Sequence, residues 1–508
     1  MKKLHVCIID LINNTSTSAV YPRLVFANYM SIMPQVVGVW CKQEGHDVTY
    51  IFYAGFKNII SQIPDNIDIA FINAFTFTAH LAYAISNFLK SKGIVTVLGG
   101  PHARCYPEDA CKYFNFVLGL TDKKLINELL RIYNQSGKEG VFMSNEKQPI
   151  AIPSVEERWE FIEKIFSYAP LLKVVPLISS FGCPYKCDFC LDSFIPFQQL
   201  GIDFIKEDLR FILRKMKPPR VSWYDPNFGV KFNSVMNAIE EVVPSNSIEF
   251  IAECNLSVLT EKNVTRLKKN GFKLIMPGIE SWFDYGRKSG VRNNTGIEKV
   301  RLVSDHLNMV QGSIPSVQAN MILGIDADEG TAPFELTKRF IDLSPGIYPS
   351  FALLNAYGRG APANIEYQRD NRVLPIPFHI MRSVHILNIR PKNYSWLDFY
   401  EYTIDLLKYS FSKKAIYKRF CTIKDALPRW LTLALSLSVG GFGKIKFYRN
   451  ILNNLKTDPH FRDFYEQKTT EIPRFFVELI KKDLGPLWSW LPEGALNHDP
   501  NAYLKSIT

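Results

Sequence analysis

Apolar runs that alternate with helical patterns, in two successive series, constrain the fold of this chain more than any other feature. Between residues 1 and 120 the strand-like stretches LHVCIIDL, DVTYIFY, IDIAFINAF, IVTVLGG and FNFVLGL are separated by the helix-like VVGVWCKQEGH and HLAYAISNFLKSKG. Strands joined through helices lie parallel, so the series predicts a Rossmann-like, doubly wound α/β sheet. Such a sheet binds ligands at the carboxyl ends of its strands, where its loops gather.

A polar stretch from Gly137 to Ser154 reads as a linker, and EERWEFIEKIFSYAP as a helical connector. A second series then runs LLKVVPLISSFG, PRVSWYDPNF, SIEFIAECN, FKLIMPGIES, SVQANMILGI and YPSFALLNAY, with helical patterns such as LTEKNVTRLKKNG between them. Repeated strand-then-helix units predict a full or partial barrel with its chemistry at the strand ends. After Pro391 the sequence becomes helical, aromatic and basic. At 508 residues the chain exceeds one ordinary core, and the readings divide it into domains 1–150, 151–390 and 391–508.

Several classes are excluded at this level. No window reaches the roughly 18 uninterrupted apolar residues of a membrane-spanning helix. The start, MKKLHVCIIDLINN, has a basic pair and a short apolar run, but Asp10 and two asparagines follow with no small-residue cleavage site, so it reads as a buried first strand. The nine cysteines are scattered without the pairing of small secreted domains, which points to a reducing compartment and a cytoplasmic location.

Three of those cysteines are not scattered. SSFGCPYKCDFC sets Cys183, Cys187 and Cys190 at C-x3-C-x2-C spacing directly after a predicted strand. A structural zinc site takes four protein ligands, and the other six cysteines supply no second C-x2-C pair. Thiolates this close suit an iron–sulfur cluster, and three of them leave one iron of a four-iron cluster open to an outside ligand. The plain alternatives are three core cysteines or a degenerate zinc knuckle.

With the strand in front and Phe189 before the last cysteine, the stretch resembles the radical S-adenosylmethionine superfamily. The resemblance implies a partial (β/α)6 TIM-type barrel and a 4Fe-4S cluster completed by the amino and carboxylate groups of S-adenosylmethionine. It further implies reduction by a donor such as flavodoxin or ferredoxin, and release of a 5'-deoxyadenosyl radical. It assigns cofactor-binding roles to successive strand ends: Asp225 and Asn227 in WYDPNFG, where the usual Gly-Gly-Glu is replaced, Glu253 and Asn255 in AECN, Glu280 and Ser281 in PGIES, and Gly324 in QANMILGID. LLNAYGRGAP, with Gly360, Ala361 and Pro362, stands where relatives carry a leucine-rich strand and Pro-Gly-Thr-Pro. Read plainly, Gly278 and Gly324 are tight strand ends, and the carboxylates pair with neighbours or helix ends; a carboxylate ending an apolar strand does require such a partner.

VTVLGGPHA places Gly99 and Gly100 after a buried strand, where backbone approaches a ligand closely. Upstream of such a barrel, the turn resembles the GG-x-H turn of cobalamin-binding radical enzymes. The resemblance implies a corrinoid flanked by the loops LINNTSTS and NAFTFTAH, touched by Asn73, Thr76, Gly99, Gly100 and His102. The D-x-H-x-x-G signature is missing, since Leu11 and Ile12 follow Asp10, so the resemblance implies cobalamin with no histidine as lower ligand. Ser31, Met33 and Pro34 fall at the first crossover, and His80 and His102 also read as ordinary polar caps.

Cobalamin-dependent methylation of an unactivated carbon is the activity this combination implies, on a small-molecule, lipid or peptide substrate. Ring rearrangement or cyclisation, methyl transfer to phosphorus, and a cobalamin-free radical enzyme acting on peptide or RNA are the rival enzymes, and a basic binding protein with a structural metal the non-enzyme. No catalytic residue is assigned. Between Lys408 and Lys456 eleven Lys or Arg face a single acid, Asp425, giving +10 of the chain's net +11. FSKKAIYKRF and GGFGKIKFYRNIL flank LPRWLTLALSLSVGGFG, a pattern expected to touch a membrane surface peripherally, a nucleic acid or an acidic peptide, or simply to present a solvated basic face.

Overall fold

The computed structural model describes residues 3–14, 29–55, 58–133, 140–168, 172–286, 289–291, 293–382, 386–438 and 440–502. The parts of the readings above that fall on 1–2, 15–18, 137–139, 169–171 and 439 lie outside the described residues. The chain forms two compact units, 1–211 with 356–382 and 472–508, and 212–355 with 383–471.

In the first unit, β1 (His5–Leu11), β2 (Asp47–Tyr53), β3 (Ile69–Ala74), β4 (Val95–Gly99), β5 (Phe116–Leu118) and β6 (Val141–Met143) form one sheet in the order β2-β1-β3-β4-β5-β6. Every neighbouring pair is parallel. The run VCIIDL of β1 is buried throughout, as expected of a parallel strand covered on both faces. Chain order departs from β1 in both directions, so the switch point lies between β1 and β3, where Asp10 is in register with Asn73. Helices Ile32–Gln43 and Ala79–Ser91 make the crossovers around it. The stretch read as linker contributes β6: an edge strand of three residues, with Phe142 exposed, carries no alternation long enough to see.

Helix Val155–Phe166 starts on a capping box, in which the Ser154 hydroxyl accepts from the Glu157 amide and Glu157 accepts from the Ser154 amide. Phe161 packs so closely on Gly38 that a methyl there would lie 2.9 Å from the ring. Beyond it come β7 (Val175–Leu177) and the antiparallel pair β8 (Ser180–Phe181) and β9 (Gln198–Gln199). The last part of the chain packs back on this unit, with Trp490 edge-on to Phe88 at 5.1 Å and its carbonyl accepting from Asn87.

The second unit holds β10 (Arg220–Trp223), β11 (Glu249–Asn255), β12 (Phe272–Glu280), β13 (Ser316–Leu323) and β14 (Tyr348–Leu353), adjacent in chain order and parallel throughout. Helices Phe232–Val242, Glu261–Lys269, Gly296–Gln311 and Ala332–Leu343 alternate with them, and helices from Trp396 to Tyr465 complete the unit. Burial along β13 and β14 alternates, one face in the core under helices and the other half-open. The chain is thus an α/β protein of parallel sheets with a helical C-terminal region. No helix among the described residues is long and apolar enough to cross a membrane.

Candidate active site

The cysteine loop is held at its neck. Ser180 and Phe181 pair with Gln199 and Gln198, and Gly182, at φ +62°, sits where a side chain would lie 2.5 Å from the carbonyls of Ile195 and Pro196. Only glycine lets the two ends close this tightly. Inside the neck, turns run from Cys190 N to the Cys187 carbonyl at 3.1 Å and from Ser193 N to the Cys190 carbonyl at 3.1 Å. Asp188 accepts from the Phe189 amide through its side chain and from the Ala363 amide through its carbonyl. Gly360 lies against Leu191 and Cys105, so the GRGAP segment packs on the cysteine loop.

Cys183, Cys187 and Cys190 are half-exposed, whereas Cys7, Cys41 and Cys105 are buried and burial pushes their thiols up to about 12, 12 and 11. Accessible thiols are the ones that ligate metals. Among the described residues no three His, Cys, Asp or Glu side chains converge on a single ion. A four-iron cluster binds each thiolate at a separate iron.

In the second unit the strand ends enclose a cavity of about 260 Å³ lined by alternate residues of the half-open sheet face, among them Glu253, Met276, Gly278, Asn320, Ser350 and Ala352. Asn255 and Glu280 also line it. Asn227 ties the ends of β10 and β11 together: its amide donates to Asn255 Oδ1 at 2.8 Å, and its Oδ1 accepts from the amides of Asn255 at 3.2 Å and Gly229 at 3.1 Å. Asp225 is buried beside it in the same loop. Glu280 is buried at φ +66°, a left-handed conformation that few residues other than glycine adopt.

Ser281 turns to a polar network next to the cavity. Its hydroxyl donates to Asp328 at 3.1 Å, and the Lys299 ammonium donates to the carbonyls of Ser281 and Asp284. Burial pushes Asp328 up to about 7 and holds Lys299 down to about 8. Gly324, at φ +89°, is a tight turn packed on Leu387 and Phe399 and does not line the cavity. Met276, Asn320 and Ser350 were not singled out in the sequence, although Asn320, a polar residue inside the apolar run QANMILGI, carried a visible signal. Lys299 carried none.

At the switch point of the first sheet, Asp10 is buried and its carboxyl pushed up by burial, against the pull of hydrogen bonds from the Ser31 amide at 3.0 Å, the Asn73 side chain at 2.8 Å and the Tyr50 hydroxyl at 3.3 Å. Asn73 also reaches the Ser31 hydroxyl at 3.1 Å. Gly100, at φ +92°, lies directly on Asn73 and Ala74, while a side chain at Gly99 would enter open space. Thr76 is buried at the start of a short 3-10 turn, Thr76–Thr78. Asn14 donates to the carbonyls of Phe77 and His379, and Arg382 donates to Asn13 while covering the Phe77 ring at 4.4 Å.

His102 is fully buried in helix Pro101–Cys105. The Tyr83 hydroxyl donates to Asp109 at 2.8 Å, which leaves His102 Nε2 to donate to that hydroxyl at 2.6 Å. Burial holds this imidazole down to about 3, so it is neutral and supports the turn from beneath. The Asn73 amide, the Ser31 hydroxyl and bare glycine backbone stand at these strand ends, where a doubly wound sheet binds its ligands.

No protein-family model matches the chain. By sequence it is 22% identical over 296 residues to bacteriochlorophyllide d C-12(1)-methyltransferase of Chlorobaculum tepidum, covering 57% of this chain and 64% of that protein. It is 24% identical over 273 residues to an uncharacterised methyltransferase of Pyrococcus horikoshii, covering 47% of this chain and 58% of that one. The chain therefore spans less than two thirds of the length of these curated relatives. Among solved structures, the radical S-adenosylmethionine methyltransferase TsrM from Kitasatospora setae, bound to tryptophan and an S-adenosylmethionine analogue, superposes with a TM-score of 0.53 at 12% identity over 89% of this chain and 99% of that one. The cobalamin-dependent S-adenosylmethionine radical enzyme OxsB, with aqua-cobalamin bound, gives 0.55 at 13% identity over 99% of this chain and 83% of that one. The chain has the fold of the cobalamin-dependent radical S-adenosylmethionine enzymes.

Proposed function

We propose that this chain is a cobalamin-dependent radical S-adenosylmethionine methyltransferase acting on an unactivated carbon. The observation that carries the reading is the cysteine loop: three half-exposed cysteines at C-x3-C-x2-C spacing in a loop closed by β8, β9 and Gly182. When bound there, a 4Fe-4S cluster with S-adenosylmethionine supplies a carbon radical, and cobalamin supplies the methyl group.

The chain's own residues bind and orient. Cys183, Cys187 and Cys190 hold the cluster. Strands β10–β14 belong to the partial (β/α)6 barrel, and their cavity takes the nucleoside and methionine parts of S-adenosylmethionine. Asn227 and Asn255 fix the strand ends that carry Asp225 and Glu253, Glu280 and Asn320 offer polar contacts, and Met276, Ile322 and Ala352 exclude water. Gly99, where a side chain would enter open space, lets the corrinoid come close to the backbone, and Gly100 closes the turn on Asn73, with Thr76 nearby. Methyltransferase names among the sequence relatives support the reaction type.

The test is the metal content of protein purified without oxygen from cobalamin-fed cells, beside a triple Cys183→Ala, Cys187→Ala, Cys190→Ala variant. About four irons and one cobalt per chain, with iron lost and cobalt kept in the variant, is the expected result. Iron without cobalt removes the corrinoid from the proposal; neither metal refutes it.

A further inference from the structure

The helix Ala426–Leu437, ALPRWLTLALSL, contradicts the burial rule that the rest of the chain obeys. All its residues except Arg429, Thr432 and Ser436 are apolar, yet the one residue buried is Ser436. Helix Trp396–Ser410 of the same unit buries eight residues, including Trp396, Phe399 and Leu406. Trp430 is 60% exposed, and Leu427, Leu437 and Phe442 are exposed with it. A helix that is apolar round its circumference is at home inside a protein or in lipid, not in water.

The segment is nevertheless firmly built. Trp430 meets Phe420 edge-on at 5.1 Å, and Arg429 lies over that ring at 5.3 Å while donating to the carbonyls of Ile423 and Lys424. At the far end Gly441 lies against the Ser436 carbonyl and the Phe411 ring. Cations frame the helix. Lys413, Lys414, Lys418 and Lys424 before it and Lys446 and Arg449 after it are all exposed, and Asp425, the one acid of the segment, lies 3.5 Å from Lys273.

We propose that this helix and its basic flanks seat the protein on a membrane surface that contains anionic phospholipid. Twelve residues at a rise of about 1.5 Å cover roughly 18 Å, too short for a hydrocarbon core of about 30 Å, so the helix lies in the interface. Leu427, Leu437 and Phe442 enter the acyl boundary, Trp430 sits at headgroup depth, and the flanking lysines meet lipid phosphates. A nucleic acid would use the rings and the cations but leave the leucines in water. A second copy would bring the same six exposed cations against themselves. A protein groove would take the exposed edge of Leu427, Trp430 and Leu437 without calling on the basic flanks at both ends of the helix.

Flotation of the full-length, anaerobically purified protein with vesicles tests this, independently of its metal content. The protein is expected to float with mixed phosphatidylglycerol–phosphatidylcholine vesicles, about tenfold less with phosphatidylcholine alone, and to be released by high salt. A Trp430→Ser, Leu437→Ser double variant is expected to lose flotation, with a melting temperature lowered by no more than the loss of the Trp430–Phe420 ring contact, and a Lys413→Glu, Lys418→Glu variant to weaken it about tenfold at the melting temperature of the parent. No flotation with anionic vesicles, or flotation unchanged in the Trp430→Ser, Leu437→Ser variant, overturns the proposal. So does a vesicle-independent dimer that this variant dissociates, or displacement from vesicles by RNA.

Discussion

Gly100 rests on Asn73 so closely that a methyl group at Gly100 would overlap the Asn73 side-chain oxygen. The same asparagine bonds Asp10 and Ser31, so this one contact locks the ends of β1, β3 and β4 together at the switch point. Gly100→Ala combines that overlap with a φ of +92° and a ψ of −173°, and the conformation alone costs about 1–3 kcal/mol. The expected outcome is a lower melting temperature together with lost cobalamin binding. Gly99→Ala separates the two effects, because its methyl enters open space: the melting temperature stays near that of the parent while cobalamin affinity falls. Thermal melts and the cobalt retained after gel filtration read both.

Asn227→Ala removes the acceptor of two backbone amides and the donor to Asn255. Leaving such buried groups unpaired costs about 1–3 kcal/mol. Because β10 and β11 are no longer tied at their ends, the S-adenosylmethionine affinity measured by calorimetry is expected to fall about tenfold. Asn227→Asp keeps the acceptor for the Gly229 and Asn255 amides but opposes a carboxylate to Asn255 Oδ1, and is expected to fall between parent and alanine.

Glu280 holds a left-handed backbone in a buried strand end, where the sheet register also shifts between Gly278 and Glu280. Glu280→Gly relieves about 1–2 kcal/mol of that strain. A site that stores strain for binding then behaves asymmetrically: the melting temperature is held or raised while S-adenosylmethionine binding weakens about tenfold. A melting temperature that falls alongside affinity would instead make Glu280 a structural partner.

How far the sequence reveals this architecture depends on the length scale of each signal. The strands from Glu249 to Leu353 and the helix–strand pair at 32–53 were legible because burial on a parallel sheet imposes long apolar runs. The β6 edge strand was not, since a strand with one neighbour needs only three residues. The cysteine spacing is local and survives in one dimension. The cavity wall is not local: Met276, Asn320 and Ser350 come from three strands, and only the pleat brings alternate residues to one face. His102, read from its GG-x-H turn, lies beneath that turn on Tyr83, a partner nineteen positions away that no local pattern announces.

Three of the nine histidines meet around one ring, and a fourth stacks on one of them. His80, His102 and His498 stand 5.8, 4.8 and 4.2 Å from Phe378, and His379 stacks on His80 at 6.3 Å. Burial lowers all four imidazoles, His102 and His498 to about 3. The folded state therefore keeps His102 and His498 neutral where the unfolded chain, at about 6.5, takes up protons. The unfolded state binds more protons as pH falls, so stability is full above about pH 6.5 and is lost progressively towards pH 3, by about 1.4 kcal/mol per pH unit for each such histidine. The raised carboxyls of Asp10 and Asp109 contribute with the opposite sign, so the variant difference is the clean measure. His498→Phe keeps an aromatic ring on Phe378 and removes one titrating group. Denaturant unfolding at a series of pH values between 7 and 4 is expected to show a slope of stability against pH shallower by about 1.4 kcal/mol per unit in this variant. An unchanged slope would mean that His498 takes up its proton in the folded state, and that the ring cluster is open to water.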